Sequence, residues 1–84
     1  MPTSRDSIQH RLKRIEGQVR GIMTMVEADR DCADVLTQVA AVRAALDSVG
    51  SIVIANQVEE LVGHAGANRM KLQTLTSMIE RFLK

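Results

Sequence analysis

Aromatic side chains are almost missing from this sequence of 84 residues, which has one Phe and neither Tyr nor Trp. Proteins that read RNA or single strands stack bases on aromatic faces, so the composition argues against that mode of binding. Cysteine is nearly absent as well. A single thiol, Cys32, cannot form an internal disulfide, and nothing points to an oxidising compartment. No apolar run is expected to reach membrane length, and the polar stretch from Pro2 to Ser7 is followed by no signal-peptide core. The expected location is the cytoplasm, with no membrane partner. Strand signals, internal repeats and low-complexity segments are also lacking.

What remains is aliphatic. Hydrophobic residues make up 45% of the chain, too many for a disordered tail, and they suit helix-on-helix packing in one small domain spanning residues 1–84. Ile8, Leu12, Ile15, Val19, Ile22 and Val26 recur at spacings of four and three, which predicts an amphipathic helix from about Ser4 to about Ala28. Thr3 and Asp6 have the spacing of a capping box. Asp31 is the expected N-cap of a second helix, on which Val35, Val39, Val42, Leu46, Val49 and Val53 repeat the pattern. The stripe drifts at Asn56, a residue suited either to fixing register in a seam or to the surface. Gly63 and Gly66 are plausible stops. A third, shorter helix is expected from about Asn68, with Leu72, Leu75, Met78, Ile79 and Phe82 on one side. The fold class is therefore all-α. A helix as long as the second spans roughly 45 Å, more than a short third helix can cover. The remaining apolar surface is expected to pair with further copies of the chain in a bundle.

Net charge is only +1, but its distribution is uneven. Arg5, His10, Arg11, Lys13, Arg14 and Arg20 crowd the first helix against Asp6 and Glu16, whereas Glu27, Asp29, Asp31 and Asp34 cluster before and within the start of the second. A basic first element suits a polyanion such as DNA; a solvated Lys/Arg face fits the pattern equally well. On a helical wheel the basic residues are read as fanning across the side opposite the apolar stripe, together with Gly17 and Gly21. Two glycines inside a helix cost roughly 1 kcal/mol each relative to Ala, which suggests that a phosphate or a neighbouring chain approaches there. No helix-turn-helix or zinc-finger spacing is present. Scattered Ser, Asp and His residues form no nucleophile–base–orienter set, so an enzyme is not expected. A helical interaction module without a DNA role stays open at this level.

Two segments are more specific. Arg11-Leu12-Lys13-Arg14-Ile15-Glu16-Gly17-Gln18-Val19-Arg20-Gly21-Ile22 and Asp31-Cys32-Ala33-Asp34-Val35-Leu36-Thr37-Gln38-Val39-Ala40-Ala41-Val42-Arg43 closely resemble the CsoR/RcnR/FrmR family of bacterial repressors. The resemblance extends from about Ile8 to Lys84. It implies a three-helix protomer, an antiparallel four-helix bundle dimer and a homotetramer built as a dimer of dimers. It also implies operator DNA as partner, with Arg11 and Arg14 as contacts and Lys13 and Arg43 as weaker additions. A further basic contact of some members falls near Ser48 here.

By the same resemblance, the inducer is sensed at Cys32. Metal-sensing members add two ligands near the end of the second helix of another protomer, and those positions hold Gln57 and Leu61. Leu61 has no donor atom, and a Gln amide is a poor ligand for copper or nickel. His64 lies one turn further on, beyond Gly63. The persulfide branch needs a second cysteine. Pro2, exposed by removal of Met1, offers a secondary amine as in formaldehyde-responsive members, although the N-terminal arm is shorter and Gln57 replaces a His. A helix N-terminus activates a thiol and three acidic neighbours oppose this, so modest reactivity is expected at Cys32. The expectation is a repressor released by a small electrophile, formaldehyde first. Its alternative is a repressor responding to copper, nickel or cobalt through an atypical ligand set. No cofactor is required; a metal ion enters only as the alternative inducer.

Overall fold

A computed structural model describes residues 4–63 and 69–84, and the described residues form three helices and no strand. Helix α1 runs Arg5–Glu27, α2 Cys32–Gly63 and α3 Arg69–Leu83. The expected all-α protomer is therefore found; the helix starts and the end of α1 lie within a residue of those read from the pattern, and α2 reaches Gly63, one of its two expected stops.

The first helix is capped one residue later than the capping box suggested. Ser4, not Thr3, is the N-cap, and its hydroxyl oxygen accepts from the Ser7 amide at 3.1 Å. Asp6 lies in the first turn, where its charge complements the helix dipole. Thr3 lies outside the described residues.

The turn from α1 to α2 is a Schellman closure. The Arg30 amide donates to the Met25 carbonyl at 2.9 Å and the Asp29 amide to the Val26 carbonyl at 3.1 Å. Such a closure needs a left-handed residue just past the cap, and Asp29 takes that role with φ 55°. Glycine is the usual occupant because a Cβ is disfavoured there. Asp31 follows immediately before α2, and its carbonyl accepts from the Val35 amide at 3.1 Å, as expected of an N-cap. Arg30 and Asp34 pair across this corner at 3.4 Å.

Returning along α1, α2 buries Val42 and Val49 against Ile15, with Ile8, Ile22 and Ala45 packed around them. Those three are the buried apolar side chains among the described residues. Leu12, Val19, Val39, Leu46 and Val53 all stay exposed, although each belongs to a predicted stripe. The shortfall arises because α2 is apolar around its circumference, while α1 along one side and the end of α3 at Gly50 cover only part of it.

Over Cys32–Leu61, α2 is also long and apolar enough by composition to cross a membrane, with mean hydropathy 1.4. This corrects the expectation that no apolar stretch has that length. Arg43 and Asp47 stand near the middle of that span, where each charge would cost about 2.5–3.5 kcal/mol in lipid. Protein is the better cover.

Helix α3 folds back onto α2 at a position the sequence reading passed over. The ring of Phe82, the one aromatic in the chain, lies directly over Gly50, where an added Cβ would overlap ring carbons. Gly50 thus makes the gap into which α3 docks. Gly17 and Gly21, which had suggested a close approach, have nothing within 4 Å of a built Cβ in the single chain. Asn56 is half-buried on α2.

Two outcomes follow for stability. Asp29→Gly should raise the unfolding free energy by about 0.5–1 kcal/mol, read from urea melts, since it relieves the left-handed conformation. Gly50→Ala should destabilise the wild-type background despite the roughly 1 kcal/mol helix-propensity advantage of Ala. In a Phe82→Ala background the same change should become stabilising, because the overlap has gone.

Candidate functional site: a basic flank on α1 and a thiol at the α1–α2 corner

Basic residues on α1 divide into two groups. At about 100° per residue, Arg11 lies only about 60° from the centre of the apolar stripe, Gln18 about 80° and Arg14 about 120°, all on one flank. This corrects the reading of a single fan opposite the stripe. Lys13 and Arg20 lie toward the other flank, where Glu16 sits between them. Glu16 pairs with Lys13 at 3.9 Å and with Arg20 at 3.7 Å. These exposed pairs contribute little to stability, but they locally offset the charge of Lys13 and Arg20. Among the described residues, no acidic group pairs with Arg11 or Arg14.

Packing of Ile15 against α2 brings that uncompensated flank to the edge of the α1–α2 contact. A groove of about 170 Å³ lies there, lined by Arg11, Arg14, Ile15, Gln18, Ala45 and Ser48. Two guanidinium groups, a carboxamide and a hydroxyl thus surround an apolar floor, and no carboxylate lines it. Arg43 is exposed on α2 and does not line the groove, and Lys13 lies apart on the other flank. Gln18 was not among the expected contact residues, whereas Ser48 stands where the resemblance placed a further basic contact of some members. The spacing of 11, 14 and 18 beside Ile15 was the available signal for Gln18; Ser48 joins only through the tertiary contact.

The thiol stands elsewhere. Cys32 is exposed as the first residue of α2, directly after the Asp29 turn. Gln57 and Leu61 lie toward the far end of the same helix, with Gln57 about 37 Å along the axis from Cys32 at 1.5 Å per residue. One chain cannot bring them together. Among the described residues, no group of three His, Cys, Asp or Glu side chains could hold a metal ion. The donors of a single described chain therefore do not fit a soft-metal site. Pro2 and His64, the other expected sensor residues, lie outside the described residues.

The protomer is all-helical among the described residues, with an uncompensated arginine flank on α1 and a lone exposed thiol at the start of α2. The comparisons specify the class. Residues 4–82 match the family model described as "Metal-sensitive transcriptional repressor". The copper-sensing transcriptional repressor CsoR of Bacillus subtilis is 41% identical over 83 residues, 95% of this chain and 82% of that protein. The crystal structure of the copper-sensing repressor CsoR with Cu(I) from Geobacillus thermodenitrificans superposes with TM-score 0.87 at 39% identity, covering 100% of this chain and 94% of that one. The nickel-responsive transcriptional regulator InrS superposes with TM-score 0.86 at 39% identity, covering 98% and 96%. The chain belongs to this family of metal-sensitive transcriptional repressors, which are not enzymes.

The two groups of cations should separate on mutation. Arg11→Ala or Arg14→Ala should weaken binding to duplex operator DNA and lower the salt slope by about one unit per lost phosphate contact, with helicity unchanged. Lys13→Ala should have the smaller effect, since Glu16 already offsets its charge. Titrations at several salt concentrations decide this, and equal effects at all three positions would refute the division.

Proposed function

We propose that the chain is an operator-binding repressor, a homotetramer built as a dimer of dimers in the cytoplasm, released from DNA by an inducer sensed at Cys32. The observation that carries the DNA reading is the unpaired state of Arg11 and Arg14 along a groove without carboxylates. Phosphate contacts of this kind supply affinity and salt dependence, and sequence preference then comes largely from DNA shape.

Assembly is supported by the apolar surface that one chain leaves open, with three buried apolar side chains among the described residues set against many exposed ones. It is supported also by the distance between Cys32 and the Gln57–Leu61 end. In an antiparallel pair of α2 helices, the start of one lies beside the end of the other. A sensor that joins them is then necessarily shared between protomers.

For the inducer, kinship favours a metal ion, since the relatives are described as copper-sensing and nickel-responsive. The order expected from sequence is thereby reversed, because none of these descriptions supports formaldehyde. Cys32 is the thiolate donor such an ion would use, and further donors would have to come from another protomer or from His64. One observation keeps the electrophile as the second reading: an exposed lone thiol with no three-donor cluster among the described residues. In that case the Pro2 amine, the Cys32 thiol and formaldehyde would form an N–CH2–S bridge and release one water.

A single experiment separates the readings. Cu(I), Ni(II) and formaldehyde are added in turn to the protein–operator complex, with wild type and with Cys32→Ala, while sedimentation reports the assembly. The expected result is a tetramer released by a stoichiometric metal in wild type only. Release by formaldehyde alone, with a one-carbon bridge at Cys32 in the mass spectrum, would put the electrophile first. A folded monomer at micromolar concentration would remove the shared sensor altogether.

A further inference from the structure

The face of α2 that turns away from α1 has a regular pattern. Leu36, Val39, Arg43, Leu46, Gly50 and Val53 alternate at spacings of three and four, the period of a helix–helix seam. At about 100° per residue they form one stripe, centred about 100° round the helix from the side that Val42, Ala45 and Val49 present to α1. Leu36, Val39, Leu46 and Val53 are exposed, while Gly50 lies under Phe82 of the same chain. One charge, Arg43, therefore stands in an open aliphatic row, and Asp47 follows one turn later on its outer flank. The two have the spacing of an intrahelical ion pair. They nevertheless pair neither with each other nor with any other group among the described residues.

We infer that Arg43 and Asp47 form a two-fold charge clasp with a second copy of this chain, Arg43 against the partner's Asp47 and Asp47 against the partner's Arg43, and that the clasp selects this partner and its register. This rests on the antiparallel α2 pairing proposed above and adds the residues that specify it. Symmetry makes the pattern self-complementary. In an antiparallel pair related by a two-fold axis, the same flank of each helix meets, and positions equally far either side of the axis face each other. An axis beside Leu46, close to the middle of α2, sets Leu46 on its own counterpart and Val39 against the partner's Val53. Arg43 then lies two residues from level with the partner's Asp47, about 3 Å along the helix and within the reach of an arginine side chain. The contact occurs twice in each pair of chains. A parallel pair would instead set Arg43 level with Arg43 and Asp47 level with Asp47. A slip of one heptad would part the charges by about 7 Å or more along the axis. Polar groups in an apolar seam cost stability, and in return they fix register and partner number.

Charge reversal tests the clasp. Arg43→Asp and Asp47→Arg should each place like charges at both contacts and weaken self-association by roughly one to two orders of magnitude. Sedimentation equilibrium reads the association, and circular dichroism reads the helicity. The double variant R43D/D47R has opposite charges at both contacts again and should assemble as wild type does. So should an equimolar mixture of the two single variants, giving in native mass spectra assemblies that hold both chains one to one. Mixing leaves the four-residue pair inside each chain like-charged, so rescue by mixing is a property of the interface alone. High salt should shrink the loss, because charges at the edge of the seam are screened.

If both single variants self-associate as wild type does, the clasp is overturned while the assembly reading stands. If the mixture does not recover, the charges act within one chain, and the inference falls whatever the double variant does. A single variant that loses helicity alone is judged by the same mixture. A wild-type protein that sediments as a folded monomer would instead overturn the antiparallel pairing on which the clasp depends.

Discussion

Contact between Ile15 on α1 and Val42 and Val49 on α2 is the interaction on which the rest of this protomer depends. It is small, yet it fixes how two long helices lie against each other. With Ile15 seated there, Arg11, Arg14 and Gln18 are carried to the edge of the contact, where α2 presents Ala45 and Ser48. The same register leaves Glu16 on the far flank, within reach of Lys13 and Arg20. One apolar contact thus separates arginines free to meet a polyanion from cations already offset by a neighbour.

The weakness of that contact is informative in its own right. Packed protein cores bury whole stripes of apolar residues, and here Leu12, Val19, Leu46 and Val53 stay exposed in the single chain. Helix α3 does not solve the problem. It is short, and it meets α2 where Phe82 fills the gap at Gly50. A sequence with this much uncovered aliphatic surface, no aromatic belt and two charges in the middle of its longest helix calls for more protein as its cover.

Most of the fold was legible because spacing of apolar residues by threes and fours has one simple solution. The starts of all three helices and the end of the first fell within a residue of the pattern, Gly63 was one of the two stops read for the second, and Asp31 was visible as a cap. Other features depended on information the pattern does not carry. The Ser4 cap was missed because Thr3, one residue earlier, has the same chemistry and a better-spaced acidic partner. The left-handed turn at Asp29 was missed because glycine is the usual signal and Asp a rarer substitute. Gly50 gave no local sign, since its partner Phe82 is 32 residues away. On α1 the basic face was misread although the angles were available. Treating every cation as opposite the stripe ignored that Arg11 lies near its edge and that Glu16 occupies the other side. Ser48 entered the groove only through packing, which no one-helix projection can show.

Cys32 poses a different kind of problem. Its exposure and its position at the start of α2 are properties of one chain, whereas a sensor that uses it with the far end of α2 is a property of two. The length of α2 makes this unavoidable, because residues 25 positions apart on one straight helix cannot converge on a ligand. Metal-sensitive relatives with the same fold therefore leave two questions for this chain: which donors a second protomer brings to Cys32, and how a change there reaches the Arg11–Arg14 flank. The α1–α2 contact gives the second question a physical route. Cys32 begins α2 one short turn after α1 ends, and Val42 lies ten residues further along the same rigid helix. A ligand that tilted the start of α2 as a rigid body would shift Val42 and Val49 against Ile15, and Ser48 with them. If Cys32 senses and the Arg11–Arg14 flank meets DNA, as proposed above, one helix and one contact connect the two places.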